Sequence, residues 1–372
     1  MTTTDWKQAR NILCIRLDYL GDVLMCTPAM RALEQSGEDR CLTLLTSPSG
    51  AAVAPYIPEI DHVISYAAPW MKHSGTADAN ADLEFARSLR ERRFDAAIVF
   101  TTYSQSALPA AYLCCLAGIP LRLAYCRENP YRMLSDWVPE PEPQDMLRHE
   151  VRRQLDLVAS VGCTTQDERL SFRVPQDDVA WAYKRFEEVG IDIRRPWVLM
   201  HPGASAASRR YPMRHWAAVA RELTTFGYPV VFTGSADEAA LIEDIQRDAG
   251  IRAISFAGEL DLGKLGAVIG LAPTMVSNNT GPAHIAAALG TPLVVLYALT
   301  NPQHTPWQLE SRVLFHDVPC KFCYKSVCPQ GHHDCLVKVE PAQVVDAVLH
   351  LLQEEEAIRG TPIRILPTGA VL

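Results

Sequence analysis

The chain has 372 residues, of which 48% are hydrophobic and 21% charged. That is more than one compact core usually holds, so two domains are expected. A net charge of −8 excludes a bulk nucleic-acid binder. Eleven cysteines, with a polar stretch rather than an apolar leader over Met1–Arg10, point to a reducing, cytoplasmic setting. The longest weakly polar stretch, Leu108–Leu121, is too short to span a bilayer and carries Pro109 and Pro120; it reads as a buried helix.

In chain order, Ile12–Leu17 reads as a strand, followed by the turn Asp18-Tyr19-Leu20-Gly21-Asp22 and a helical pattern over Val23–Gln35. Pro28 should bend that helix or mark a late start. Cys41–Thr46 and Phe94–Phe100 read as strands, with a charged helix over Leu83–Arg93 between them. Arg87, Arg90, Arg92 and Arg93 read as a solvated helix face before a lipid-facing one. Three prolines within Val138–Pro143 predict a stiff extended loop. Helical patterns return at His149–Val161 and Asp178–Val189, around an extended Ser171–Pro175.

A second α/β series starts at Trp197–His201 and continues through helix His215–Thr225, strand Pro229–Thr233 and helix Glu238–Asp248. Strands Ala253–Ser255, Thr274–Ser277 and Leu293–Tyr297 follow, then an amphipathic helix over Pro341–Glu355; the tail after Gly360 has no strong signal. Alternating strands and helices predict two open parallel sheets, with the domain break between about 172 and 196. The division adopted is 1–175, 176–340, and a terminal helix and tail over 341–372. Ligands in such sheets bind beyond the carboxyl ends of the strands, which directs attention to loops 18–22, 201–212, 233–238 and 278–284.

In the first loop, Gly21 permits close backbone approach, and Asp22 either accepts a proton from a ligand or only charges the start of its helix. In the second, Ser205 with Arg209 and Arg210 suits a phosphate, or is a solvated loop. In the third, Glu238 either accepts hydrogen bonds from ribose hydroxyls or complements the helix dipole. The fourth, Asn278-Asn279-Thr280-Gly281-Pro282-Ala283-His284, is the most informative: Thr280 and Gly281 present backbone N–H groups at a helix start, and His284 lies in the first turn.

Gly258–Lys264 has the spacing of a phosphate loop, but Leu265 stands where a hydroxyl is required, and Asp261 reads as a helix N-cap instead. No G-x-G-x-x-G follows the first strand, which disfavours a dinucleotide-dependent dehydrogenase. Cys320, Cys323, Cys328 and Cys335 lie within sixteen residues, interleaved with His332 and His333. They either close around a structural zinc or iron or pack as reduced thiols.

Together these segments resemble glycosyltransferase family 9, the lipopolysaccharide heptosyltransferases. The likeness rests on Ile12–Leu17 through Gly21-Asp22-Val23-Leu24 and Thr27-Pro28-Ala29; on His201-Pro202-Gly203-Ala204 with Arg210-Tyr211-Pro212; on Ser277–Ala288; and on Thr300-Asn301-Pro302. The cysteine-rich segment resembles parts of family members too, and the similarity runs from about residue 11 to 350.

The resemblance implies a GT-B fold, two Rossmann-like domains facing a central cleft, with the acceptor on the N-terminal domain and the nucleotide sugar on the C-terminal one. It implies inverting transfer of a heptose from ADP-heptose to a lipid-linked lipopolysaccharide inner-core acceptor, with no cofactor required for catalysis and peripheral contact with the inner face of the inner membrane. It assigns Asp22 as base beside Gly21; Ser205, Arg209, Thr280, Gly281 and His284 to the diphosphate side; and Glu238 to the ribose. Two positions depart from the family pattern: many members carry Asp where this chain has Asn279, and Arg209 replaces a lysine. Alternatives are another nucleotide-sugar donor or a protein acceptor on the same fold, a nucleotide-sugar epimerase, and a non-enzymatic nucleotide-sugar-binding module.

Overall fold

The computed structural model describes residues 5–72 and 78–359; the tail after Gly360 lies outside them. The chain divides into two compact units, 1–171 and 172–372.

The first unit runs β1 (Asn11–Arg16), α1 (Leu20–Leu24), α2 (Thr27–Gln35), β2 (Cys41–Thr46), α3 (Pro48–Ala51), β3 (His62–Ser65), α4 (Ala79–Glu91), β4 (Ala96–Val99), α5 (Leu108–Leu116), β5 (Leu121–Cys126), β6 (Asp136–Pro139) and α6 (Glu150–Ala159). Its six strands form one parallel sheet in the order β3-β2-β1-β4-β5-β6.

The second unit runs α7 (Gln176–Glu188), β7 (Val198–His201), α8 (Met213–Thr225), β8 (Val230–Phe232), α9 (Ala239–Ala249), β9 (Ile254–Ser255), α10 (Leu262–Leu271), β10 (Thr274–Asn278), α11 (Gly281–Leu289), β11 (Leu293–Leu296), β12 (Ser311–Leu314), α12 (Asp334–Val337) and α13 (Pro341–Arg359). Its sheet, also parallel, is ordered β12-β11-β10-β7-β8-β9. Counted from the first strand of each unit, both sheets have the order 3-2-1-4-5-6 of the Rossmann fold.

Central strands covered on both faces need no polar alternation, so β4, β7, β10 and β11 are buried at every position; β4 and β11 are unbroken apolar runs, while β7 ends in His201 and β10 in Ser277 and Asn278, at the strand ends that carry the loops. Edge strands lack that signal. β3, β6 and β12 are partly exposed along their length and carry polar residues. The stretch expected to be only a stiff loop at Val138–Pro143 therefore begins inside β6, which pairs with β5 from Asp136 to Pro139.

The helix expected over Val23–Gln35 is two helices. Pro28 lies in the first turn of α2, where its missing N–H costs nothing, so it marks a start. The terminal helix α13 belongs to the second core: Val344, Val345, Val348, Leu351 and Leu352 pack with Trp216, Val219 and Phe232.

The Gly258–Lys264 loop is a helix start. Asp261 accepts the Lys264 N–H at 2.9 Å, capping α10. Replacing Asp261 by alanine should lower the second unit's stability by about 1 kcal/mol, read as a shift in urea midpoint, and leave nucleotide affinity unchanged; a loss of affinity would restore the phosphate-loop reading.

Candidate active site

In each unit the strand order reverses between its first and fourth strands, and the loops leaving those strands hold the candidate residues except Glu238, which follows β8. In the first unit, β1 ends at Arg16, whose side chain is completely buried. Each of its guanidinium nitrogens meets a different carboxylate: Nε lies 3.0 Å from Asp18 Oδ2, Nη2 lies 3.3 Å from Asp22 Oδ1, and Nη1 donates to Glu150 Oε1 at 2.8 Å. Burial alone would lower the pKa of Arg16, but Asp18, Glu150 and Asp22 together hold it well above its ordinary value, so the guanidinium is a fixed positive charge.

Asp22 is the third residue of α1. Its Oδ2 accepts the Tyr19 N–H at 3.2 Å, so the carboxylate is oriented by a helix-start hydrogen bond as well as by Arg16, and its side chain keeps 19% of its surface exposed. Cap and candidate base are thus the same group, and the helix-charging reading does not compete with the chemical one. Gly21 is buried beside it.

Asp18 differs. Burial raises its pKa to about 6; Arg16 pulls it down, Asp22 and Glu150 push it up, and the Gln105 amide, donating to Oδ1 at 2.7 Å, favours the charged form. A cavity beside it is lined by Leu17, Trp70, Met71, Thr101, Gln105 and Ser106.

Glu150 reaches Arg16 because it opens α6, whose inner face also carries Arg153 and Gln154. Gln154 donates to Glu150 at 2.7 Å and to the Thr101 carbonyl at 3.0 Å. Arg153 donates to Glu142 at 2.7 Å and stacks over Tyr125 at 4.3 Å. The proline-rich segment thus delivers Glu140 and Glu142 as partners for an otherwise costly buried cation.

In the second unit, Asn278 at the end of β10 ties two loops together. Its amide donates to the Pro202 carbonyl at 2.7 Å and its oxygen accepts the Tyr211 N–H at 3.2 Å. Arg209 is thereby held over the start of α11, donating to the Asn279 carbonyl at 3.3 Å. Asn279 is buried, so it takes part through its backbone at this contact. Thr280 is the N-cap of α11 and makes no side-chain cap bond, while Pro282 has no N–H to offer; the donors at this helix start are those of Thr280 and Gly281. His284 is buried one turn in. Ser205 is exposed on the same loop as Arg209, and its carbonyl accepts from Arg210.

Glu238 folds back so that its carboxylate accepts the Ser235 N–H at 2.8 Å and lies against Gly203 and Gly234. A Cβ at Gly203 would sit 2.0 Å from Glu238 Oε1, so the glycine makes the seat for this carboxylate. His201, buried beneath, has its pKa lowered by burial, with Glu238 opposing; its Nδ1 lies 3.1 Å from Thr233 Oγ1.

Of the two readings of the cysteine-rich segment, a structural metal or packed reduced thiols, the metal is not supported. Among the described residues no three His, Cys, Asp or Glu side chains gather to hold an ion, and the four thiols are free. Backbone bonds hold the segment instead: Phe322 and Tyr324 N–H groups bond the Leu299 and Thr300 carbonyls, and Cys320 Sγ lies 3.7 Å from His332 Nε2. Ser208, next to Arg209, donates its hydroxyl to the Lys325 carbonyl at 2.8 Å and its N–H to that of Ser326 at 3.0 Å.

A sequence model described as glycosyltransferase family 9 (heptosyltransferase) matches residues 83–333. This chain belongs to glycosyltransferase family 9. The glycosyltransferase is 28% identical over 364 residues to lipopolysaccharide heptosyltransferase 2 of Escherichia coli K12, covering 93% of this chain and 99% of that one. It is 25% identical over 355 residues to lipooligosaccharide heptosyltransferase 2 of Haemophilus influenzae, covering 92% and 99%. In fold it is similar to a family 9 glycosyltransferase from Veillonella parvula, with TM-score 0.76 at 21% identity over 95% of this chain and 99% of that one. It is also similar to the E. coli ADP-heptose lipopolysaccharide heptosyltransferase II structure, with TM-score 0.71 at 24% identity over 93% and 99%. The architecture is GT-B, two Rossmann-like units.

Sequence reasoning missed Arg16, Glu150, Asn278 and Ser208 as site-building residues. The signal for Arg16 was available: a charge closing a buried strand needs partners.

Asp18 makes stability pH-dependent. Its native pKa lies above the unfolded value of 3.8, so the folded state holds its proton more tightly and loses stability as pH rises from about 4 through about 6. Asp18→Asn should match the parent's melting temperature near pH 4 and exceed it at pH 8; equal melting at both pH values would contradict the assignment.

Proposed function

We propose that this glycosyltransferase moves a heptose from ADP-heptose to a lipid-linked lipopolysaccharide inner-core acceptor with inversion. The observation that carries the reading is its similarity to lipopolysaccharide heptosyltransferase 2 over 93% of this chain and 99% of that one; in this chain the Gly21-Asp22 turn and the Asn278–His284 loop stand at strand ends.

In this proposal the second unit binds the donor. The diphosphate rests on the Thr280 and Gly281 N–H groups at the positive end of α11. Arg209 adds a guanidinium fork, with Ser205 and His284 on the same side. Glu238 accepts hydrogen bonds from the ribose. As the bond from the anomeric carbon to the phosphate oxygen breaks, ADP gains negative charge, and these fixed dipoles stabilise it without reorganising. The first unit binds the acceptor, and Asp22 accepts the proton from the attacking hydroxyl. A carboxylate is a weak base towards an alcohol, so proton transfer is late and concerted with attack, contributing about 10²–10⁴ in rate.

A lipid-linked acceptor brings such an enzyme to the membrane surface peripherally. None of the helices among the described residues is long and apolar enough to cross a membrane.

The direct test is ADP release with ADP-heptose and a heptose-bearing inner-core acceptor, against other nucleotide sugars. Asp22→Asn should retain ADP-heptose binding and lose turnover by about 10²-fold or more; undiminished turnover would remove Asp22 from the base role. Gly203→Ala should push the Glu238 carboxylate from its seat and weaken ADP binding about tenfold by calorimetry, about 1.4 kcal/mol, with the fold retained; unchanged affinity would separate Glu238 from the nucleotide.

A further inference from the structure

Three acidic side chains share one buried cation beside the proposed base, and this arrangement does more than hold the loop. We propose that Asp18 is a positioning residue for Asp22: the two carboxylates compete for the Arg16 guanidinium, and the charge on Asp18 sets how firmly Arg16 holds Asp22 and thus how basic Asp22 is. The inference rests on the reading of Asp22 as base and goes beyond it by naming what tunes that base.

The geometry leaves little freedom for any other outcome. Arg16 is buried and cannot turn away, because Nη1 is tied to Glu150 and Glu150 is braced by Gln154 against the Thr101 carbonyl. Nε then lies 3.0 Å from Asp18 Oδ2 as an ion pair without a hydrogen bond, while Nη2 of the same rigid plane donates to Asp22 Oδ1 at 3.3 Å. One positive charge faces three carboxylates, so the cluster carries excess negative charge when all are ionised, and the excess falls on the group most easily protonated.

The groups facing Asp18 are Arg16 from β1, Asp22 from α1, Gln105 from the segment before α5 and Glu150 from α6; the buried Cys26 thiol before α2 is kept neutral by burial. Ser47, capping α3, donates to the Asp18 carbonyl at 2.6 Å and fixes its backbone. Burial raises the Asp18 pKa to about 6, and 17% of its side-chain surface is open for exchange with water.

When Asp18 is ionised, its negative charge offsets part of the Arg16 field and repels the Asp22 carboxylate, and Asp22 is the stronger base. When Asp18 is protonated, the Arg16 charge is shared by Asp22 and Glu150 only, and Asp22 is the weaker base. No proton need pass between them; the coupling is electrostatic through a shared partner.

The experiment is the pH dependence of kcat/KM for the full chain at saturating donor, for the parent, Asp18→Asn and Asp22→Asn. Asp18→Asn should bind donor as the parent does, with its acid limb moved about one pH unit lower and its plateau kcat reduced. An unmoved acid limb, whether or not kcat falls, would overturn the proposal, because a purely structural role changes the plateau alone. Gln105→Ala keeps the test open if Asp18→Asn folds poorly: losing the amide donor raises the Asp18 pKa, so in this variant the acid limb should move to higher pH, opposite to Asp18→Asn, and an unmoved limb counts against the pair. Asp22→Asn separates the two readings. Turnover surviving in that variant removes the base assignment; inactive Asp22→Asn beside an unmoved Asp18→Asn limb removes only the coupling.

Discussion

Burying a guanidinium is among the more expensive things a fold can do, and the first unit is organised around having done it at Arg16. The cost of stripping water from the cation is offset only if acceptors meet every face of the fork. That requirement reaches far along the chain: Asp18 and Asp22 come from the turn after β1, and Glu150 from the start of α6, 134 residues on. The β1 loop cannot relax without leaving a charge unpaired in the interior. The proposed base is therefore held by the same constraint that holds the sheet's central strand to its last helix.

The second unit meets a comparable demand with neutral groups. Asn278 spends its amide on the backbone of the β7 loop, and Ser208 spends its hydroxyl and N–H on carbonyls of the cysteine-rich segment. The result is a start to α11 whose donors point outward while Arg209 is held over it. Anions suit such a place, and a glycine seat beside it keeps the Glu238 carboxylate folded against the backbone. The two units use one strand order and split the work: an ionised network in one, oriented dipoles in the other.

Much of this was legible in the chain itself. Buried central strands announce themselves as apolar runs, and turns with Gly-Asp or Thr-Gly-Pro mark the strand-to-helix junctions where Rossmann folds bind ligands. β3, β5, β6 and β12 were not read: three are partly exposed, and β5 follows a proline-bounded helix closely enough to merge with it. Partnerships across the sequence were out of reach for a different reason. Periodicity reports a residue's face, not its distant partner, so neither Arg16 nor Glu150 stood out. The cysteine spacing left a metal and packed thiols both open, because closeness in sequence does not fix where side chains converge; among the described residues no three potential ligands gather there.

The placement of α13 bears on how the molecule is made. The first unit's sheet and its closing helix are complete by residue 159, so that half can collapse while synthesis continues. The second cannot: Val344 through Leu352 share one core with Trp216 and Phe232, and until α13 has been made that apolar wall lacks its cover. A chain cut short before α13 would thus carry one finished half joined to one aggregation-prone half, so the second half's solubility depends on a segment made more than a hundred residues after Trp216.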